Sequence, residues 1–107
     1  MNEINIKKIK KELFKKLSNE YGSEEIYVFG SYAYGKPSAD SDIDIGIIVP
    51  NSDEPQYKRS RRGYAAIRNI DFPIEILVFT EEEIERKKNV ISSLASTILK
   101  KGIKLNG

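Results

Sequence analysis

The sequence predicts an α/β sandwich of modest size. Short runs rich in β-branched and aromatic residues alternate with stretches whose apolar residues recur at helical spacing. Each strand-like run is closed by glycine, proline or a polar turn. The chain has 107 residues, 39% of them hydrophobic, which suffices for one compact domain over residues 1–107 with a single core.

The first element is a helix, because Ile6, Ile9, Leu13 and Leu17 recur at helical spacing and Gly22 offers a stop. The lysines between them read as a solvated face. The run IYVFG then predicts a buried strand ending at Gly30. Ser31 to Tyr34 fit a first helical turn, which Gly35, Pro37 and Ser38 prevent from continuing. A second strand runs from Asp42 to Val49 and is closed by Pro50 and the polar turn NSDEP. "YKRSRRGYAAIRN", Tyr57 to Asn69, has helical residues of basic character, weakened by Gly63. "FPIEILVF" is a third strand begun by Pro73, and Thr80-x-x-Glu83 is a capping-box signature for a helix start. Ile84, Ile91, Leu94, Ile98 and Leu99 continue as helix, with a break near Asn89 and an end at Gly102.

Composition excludes several chemistries. The chain has no cysteine and no histidine, so thiolate and imidazole metal sites, disulfides and Ser-His or Cys-His catalytic pairs are ruled out. Chemistry must run on Asp, Glu, Lys, Arg, Tyr or backbone groups, or on an oxygen-ligated ion. A formal net charge of +2 does not argue for nucleic acid by itself. No apolar run approaches the ~20 residues that span a bilayer. The basic N-terminal stretch lacks the apolar block of a signal peptide, so a cytoplasmic protein with no membrane partner is expected.

The segment "GSYAYGKPSADSDIDI", residues 30–45, carries the informative pattern. Side chains alternate along a strand, so Asp42 and Asp44 share a face while Ile43, Ile45, Ile47 and Val49 point to the core. Two carboxylates so placed lie roughly 7 Å apart at Cα, close enough to share an ion and repulsive without one. Gly46 is expected to keep the space beyond them open. Glu75 is the one charge in its apolar run: it either faces water from an edge strand or, if buried unpaired, requires a cation or several donors. With the second and third strands as neighbours, three carboxylates converge in an oxygen set suited to Mg²⁺. Gly30 ends a strand and Ser31 begins a helical turn, which together offer backbone N–H groups and a hydroxyl to a phosphate. Lys36 is close enough in sequence to reach that phosphate. Taken singly, a D-x-D at a strand start is ordinarily a solvated end and a Gly-Ser pair ordinarily a turn. Their joint occurrence, in the right order, describes a nucleotidyl-transfer site.

"VFGS", ten residues, and then "DID" resemble the G-S-x10-D-x-D signature of the DNA polymerase beta-like nucleotidyltransferase superfamily. The short chain resembles its minimal, antitoxin-like branch. The resemblance covers nearly the whole chain and implies a small mixed β-sheet flanked by helices, similar to the polymerase beta palm. It implies that Gly30 and Ser31 hold the triphosphate of ATP, and that Asp42 and Asp44 ligate two Mg²⁺ ions. Glu75 would act as third carboxylate, helping to deprotonate the acceptor hydroxyl. It further implies transfer of AMP from ATP to a protein, the chain being the antitoxin of a HEPN-domain toxin RNase. Nucleic acid is not expected as a direct ligand, and homo-oligomer formation is left open.

Two positions depart from the family pattern: Tyr34 stands where many relatives have Arg, and Glu75 where many have Asp. "KRSRRGY" reads as a solvated face that alternatively meets triphosphate or an acidic partner, and Tyr32 and Tyr34 as packing residues or base-stacking platforms. The competing functions are a non-catalytic module that neutralises its partner by occlusion, and nucleotidyl transfer to RNA or a small molecule.

Overall fold

The computed structural model describes residues 3–35, 37–38, 41–90 and 93–106, apart from the side chains of residues 3–5 and 34. The elements are α1 (Glu3–Tyr21), β1 (Ile26–Phe29), α2 (Ser31–Tyr34), β2 (Ile43–Val49), α3 (Gln56–Ala66), β3 (Ile74–Thr80), α4 (Glu81–Lys87), α5 (Leu94–Lys101) and β4 (Ile103–Lys104). Among the described residues the strands form one four-stranded sheet in the order β3-β2-β1-β4. β1 runs antiparallel to β2 and β4, whereas β2 and β3 are parallel. This is the mixed sheet flanked by helices that the sequence leads one to expect. No helix among the described residues is long and apolar enough to cross a membrane.

Alternation along β2 divides the core into two layers. Ile43, Ile45, Ile47 and Val49 face a cluster with Leu13 and Leu17 of α1, Ile26 and Val28 of β1, and Ile76 and Val78 of β3. Ile48 points the other way, against Ile84 of α4 and Ala95 of α5. Both faces of β2 are therefore covered, which explains why its apolar residues run nearly uninterrupted. The one exception is its second residue, Asp44.

α3 is held to the sheet by polar side chains. β3 lies at the sheet edge, and an edge leaves outward backbone groups that need partners. The Tyr64 hydroxyl accepts from the Ile76 N–H at 2.9 Å, and the Arg59 guanidinium donates to the Val78 carbonyl at 3.2 Å. Arg59 also donates to the Glu54 carbonyl and, at 2.7 Å, to the Glu83 carboxylate. That carboxylate closes the capping box of α4 by accepting from the Thr80 N–H, while the Thr80 hydroxyl accepts from the Glu83 N–H. The box expected from T-x-x-E is thus present, and it is tied to a buried arginine as well.

Gly63 does not weaken α3 as its composition suggests. The Tyr21 hydroxyl sits between the Arg59 carbonyl, to which it donates, and the Gly63 N–H, from which it accepts. A Cβ at Gly63 would press on the Tyr21 hydroxyl and on Ile76, so the glycine admits α1's last residue into the helix ladder. The final helical stretch is broken near Asn89, as expected: α4 ends at Lys87, and Ser93 starts α5 by accepting from the Ser96 N–H.

Candidate active site

Four of the residues singled out from the sequence meet at one end of the sheet. β1 ends there at Phe29, followed by Gly30, while β2 and β3 begin there. Asp44 is in register with Glu75 across the parallel pair and with Phe29 across the antiparallel one. Asp44 and Glu75 therefore stand side by side on the face that carries α4 and α5. Asp42 lies just outside β2, exposed, behind a turn in which the Ser38 N–H donates to the Ser41 hydroxyl at 2.9 Å. The strand expected from Asp42 thus starts one residue later, at Ile43, whose N–H donates to the Pro73 carbonyl at 3.0 Å.

Gly30 is the tightest point of the site. Its backbone takes φ 73° and ψ −156°, a region essentially reserved for glycine. A Cβ there would run into the Asp44 carboxylate. The chain thus turns against the acid and passes into α2, whose first N–H groups have no intrahelical partner and whose N-cap supplies no side-chain bond. Gly30→Ala is expected to cost about 1–3 kcal/mol from the backbone region alone. It should also displace Asp44, which thermal melting and nucleotide titration of the variant would register together.

The electrostatics of this corner are those of a crowded anion. Burial, then the neighbouring charges of Glu75 and Asp42, push the Asp44 carboxyl above its ordinary value. Like charges raise a carboxyl in this way when no cation offsets them. The donor set is made only of hard oxygens, the type that Mg²⁺ takes, so the residues present fit a divalent ion. The fit is one of charge and ligand type. Among the described residues no group of three acidic side chains closes on a single point.

Three expectations change. Glu75 is exposed on the edge strand β3, the water-facing alternative rather than the buried one, so the argument from a buried unpaired carboxylate does not apply to it. Its link to the site is its register with Asp44. Gly46 does not leave open space, since Ile98 of α5 and Phe29 fill it and a Cβ would meet Ile98 Cδ1 at 2.9 Å. In "KRSRRGY", Arg59 is 8% exposed and committed to Glu83. Arg62 lies 4.7 Å from the Tyr21 ring centroid and pairs with Glu20. These two arginines are held by α1 and α4 rather than offered to a ligand.

Ser31 opens α2 and is partly buried next to Gly30. Tyr32 packs on the main core, its ring edge-on to Phe72 with centroids 5.9 Å apart. Lys36 and the Tyr34 side chain lie outside the described residues.

The family model of the nucleotidyltransferase domain matches residues 6–105. No curated protein and no solved structure matches the chain significantly. The matched span runs from α1 to β4 and includes Gly30, Ser31, Asp42, Asp44 and Glu75. The chain belongs to the nucleotidyltransferase domain family.

Proposed function

We propose that the chain transfers AMP from ATP to a hydroxyl on a protein acceptor, with release of pyrophosphate, and that it does so as the antitoxin of a HEPN-type toxin. The observation that carries the catalytic part is the in-register pairing of Asp44 with Glu75, with Gly30 packed on Asp44. The acceptor and the partner rest on the resemblance of this short chain to the antitoxin-like branch.

In this reading Gly30 and Ser31 receive the triphosphate, since the glycine lets a ligand approach the backbone and the first amides of α2 are free of intrahelical bonds. Lys36, close in sequence to that turn, is assigned to the phosphate from its sequence position alone. Asp42 and Asp44 would hold Mg²⁺, with Glu75 completing the set. Bound ions supply charge stabilisation of the attacking and leaving oxygens during in-line displacement at the α-phosphate. Glu75, exposed at the mouth, is the carboxylate best placed to accept the proton of an incoming acceptor hydroxyl.

The test is incubation with α-labelled ATP, Mg²⁺ and the protein encoded beside this one, with and without Asp44→Ala. Label on the partner only with Asp44 intact supports the reading. Absence of label, with partner binding that survives the substitution, would move the function to occlusion.

A further inference from the structure

We propose that Tyr32 and Phe72 form a positioning pair that sets the distance between the Gly30–Ser31 turn and the carboxylates; this deepens the reading of the site given above and rests on it. α2 has four residues and cannot hold its own place. The Ala33 N–H donates to the Gly30 carbonyl and the Gly35 N–H to the Ser31 carbonyl, and the N-cap makes no side-chain bond. The β1–β2 register holds Gly30 against Asp44, so the rest of α2 takes its place from packing, with Ala33 also lying against the main core.

Tyr32, one residue after Ser31, supplies that packing. Its ring meets Phe72 at 5.9 Å and 76°, the edge-to-face geometry that aromatic rings favour, and both residues lie against the main core. Phe72 is followed by Pro73, whose carbonyl accepts from the Ile43 N–H at 3.0 Å. Ile43 lies between Asp42 and Asp44, and Glu75 is two residues beyond Pro73. One aromatic contact thus joins the turn proposed to hold phosphate to the segment from which all three acids are hung. The Tyr32 hydroxyl has no hydrogen-bond partner among the described residues, so the ring, not the hydroxyl, carries the contact.

The experiment is titration of MgATP into the wild-type chain and into Tyr32→Phe, Tyr32→Leu, Phe72→Leu and the double leucine variant, with melting curves for each. Tyr32→Phe should bind as wild type. Each leucine variant should bind about tenfold more weakly, and the double variant no more weakly than either single one, since the pair acts as a unit. Ile9→Ala loosens the same core from α1 without touching the pair and should lower the melting temperature with unchanged affinity. Methionine replaces leucine wherever a variant fails to melt cooperatively. Additive losses, a Tyr32→Phe as weak as Tyr32→Leu, or leucine variants of wild-type affinity would each overturn the proposal while leaving the site reading intact. Failure of the wild-type chain to bind MgATP would overturn both.

Discussion

Asp44→Asn is expected to lower nucleotidyl transfer by at least about 10³-fold while raising the melting temperature of the metal-free protein. The loss follows from removing a carboxylate proposed to hold an ion, because charge stabilisation by bound metal is worth several kcal/mol in the transition state. The gain follows from the folded-state titration. Asp44 is pushed above its ordinary value first by burial and then by Glu75 and Asp42, so its ionised form is less favourable folded than unfolded. A group with a raised carboxyl value penalises folding once the pH exceeds its unfolded value, and neutral asparagine has no such penalty. Added Mg²⁺ should stabilise the wild-type chain and leave the variant nearly unchanged, since a ligand that binds only the folded state raises stability by mass action. Calorimetry with and without the ion reads both effects. A variant that melts below wild type in metal-free buffer would contradict the assignment of strain to Asp44.

Glu83→Ala is expected to be strongly destabilising, by about 3 kcal/mol. It removes the side-chain half of the capping box and leaves the nearly buried Arg59 without its carboxylate. For a chain of this size the melting temperature should fall by roughly 10–20 °C. The pH dependence has the opposite sign to that of Asp44. The hydrogen bond from Arg59, against an opposing contribution from burial, holds the Glu83 carboxyl below its ordinary value. Its stabilisation is therefore full above the unfolded carboxyl value of 4.5 and is lost as the pH falls through the folded one. Wild type and Glu83→Ala should converge in stability as the pH drops through that window. Parallel curves throughout would show that the ion pair contributes nothing.

Most of the sheet and the core of the site were legible in the sequence because they rest on local period and spacing. Ile43, Ile45 and Ile47 alternate with Asp44 and Gly46, and that alternation fixes which side holds the acid. Thr80 and Glu83 announce their helix by three-residue spacing alone. What escaped depends on contacts between segments distant in sequence. β4 has two residues, too few for any period, and exists only because Lys104 and Ile103 pair with Tyr27 and Val28. Gly46 reads as empty space until α5 brings Ile98 onto it, and Gly63 reads as a weakness until Tyr21 fills it. Glu75 was singled out correctly as the odd charge in an apolar run, but its exposure follows from strand order, which residues 72–79 do not encode. Arg59 sits in a basic run that resembles a surface, and only the edge of β3 explains why that arginine turns inward.

The central claim is that the sheet end bearing Gly30, Asp42, Asp44 and Glu75 moves a nucleotidyl group rather than a phosphoryl group. The most direct measurement follows ATP labelled at the α-phosphate in one reaction and at the γ-phosphate in another, with Mg²⁺ and the adjacent-encoded protein. The account predicts that α-label becomes attached to the acceptor, that γ-label leaves as pyrophosphate, and that Asp44→Asn abolishes both. Attachment of γ-label, or attachment of α-label that persists in the variant, would contradict it.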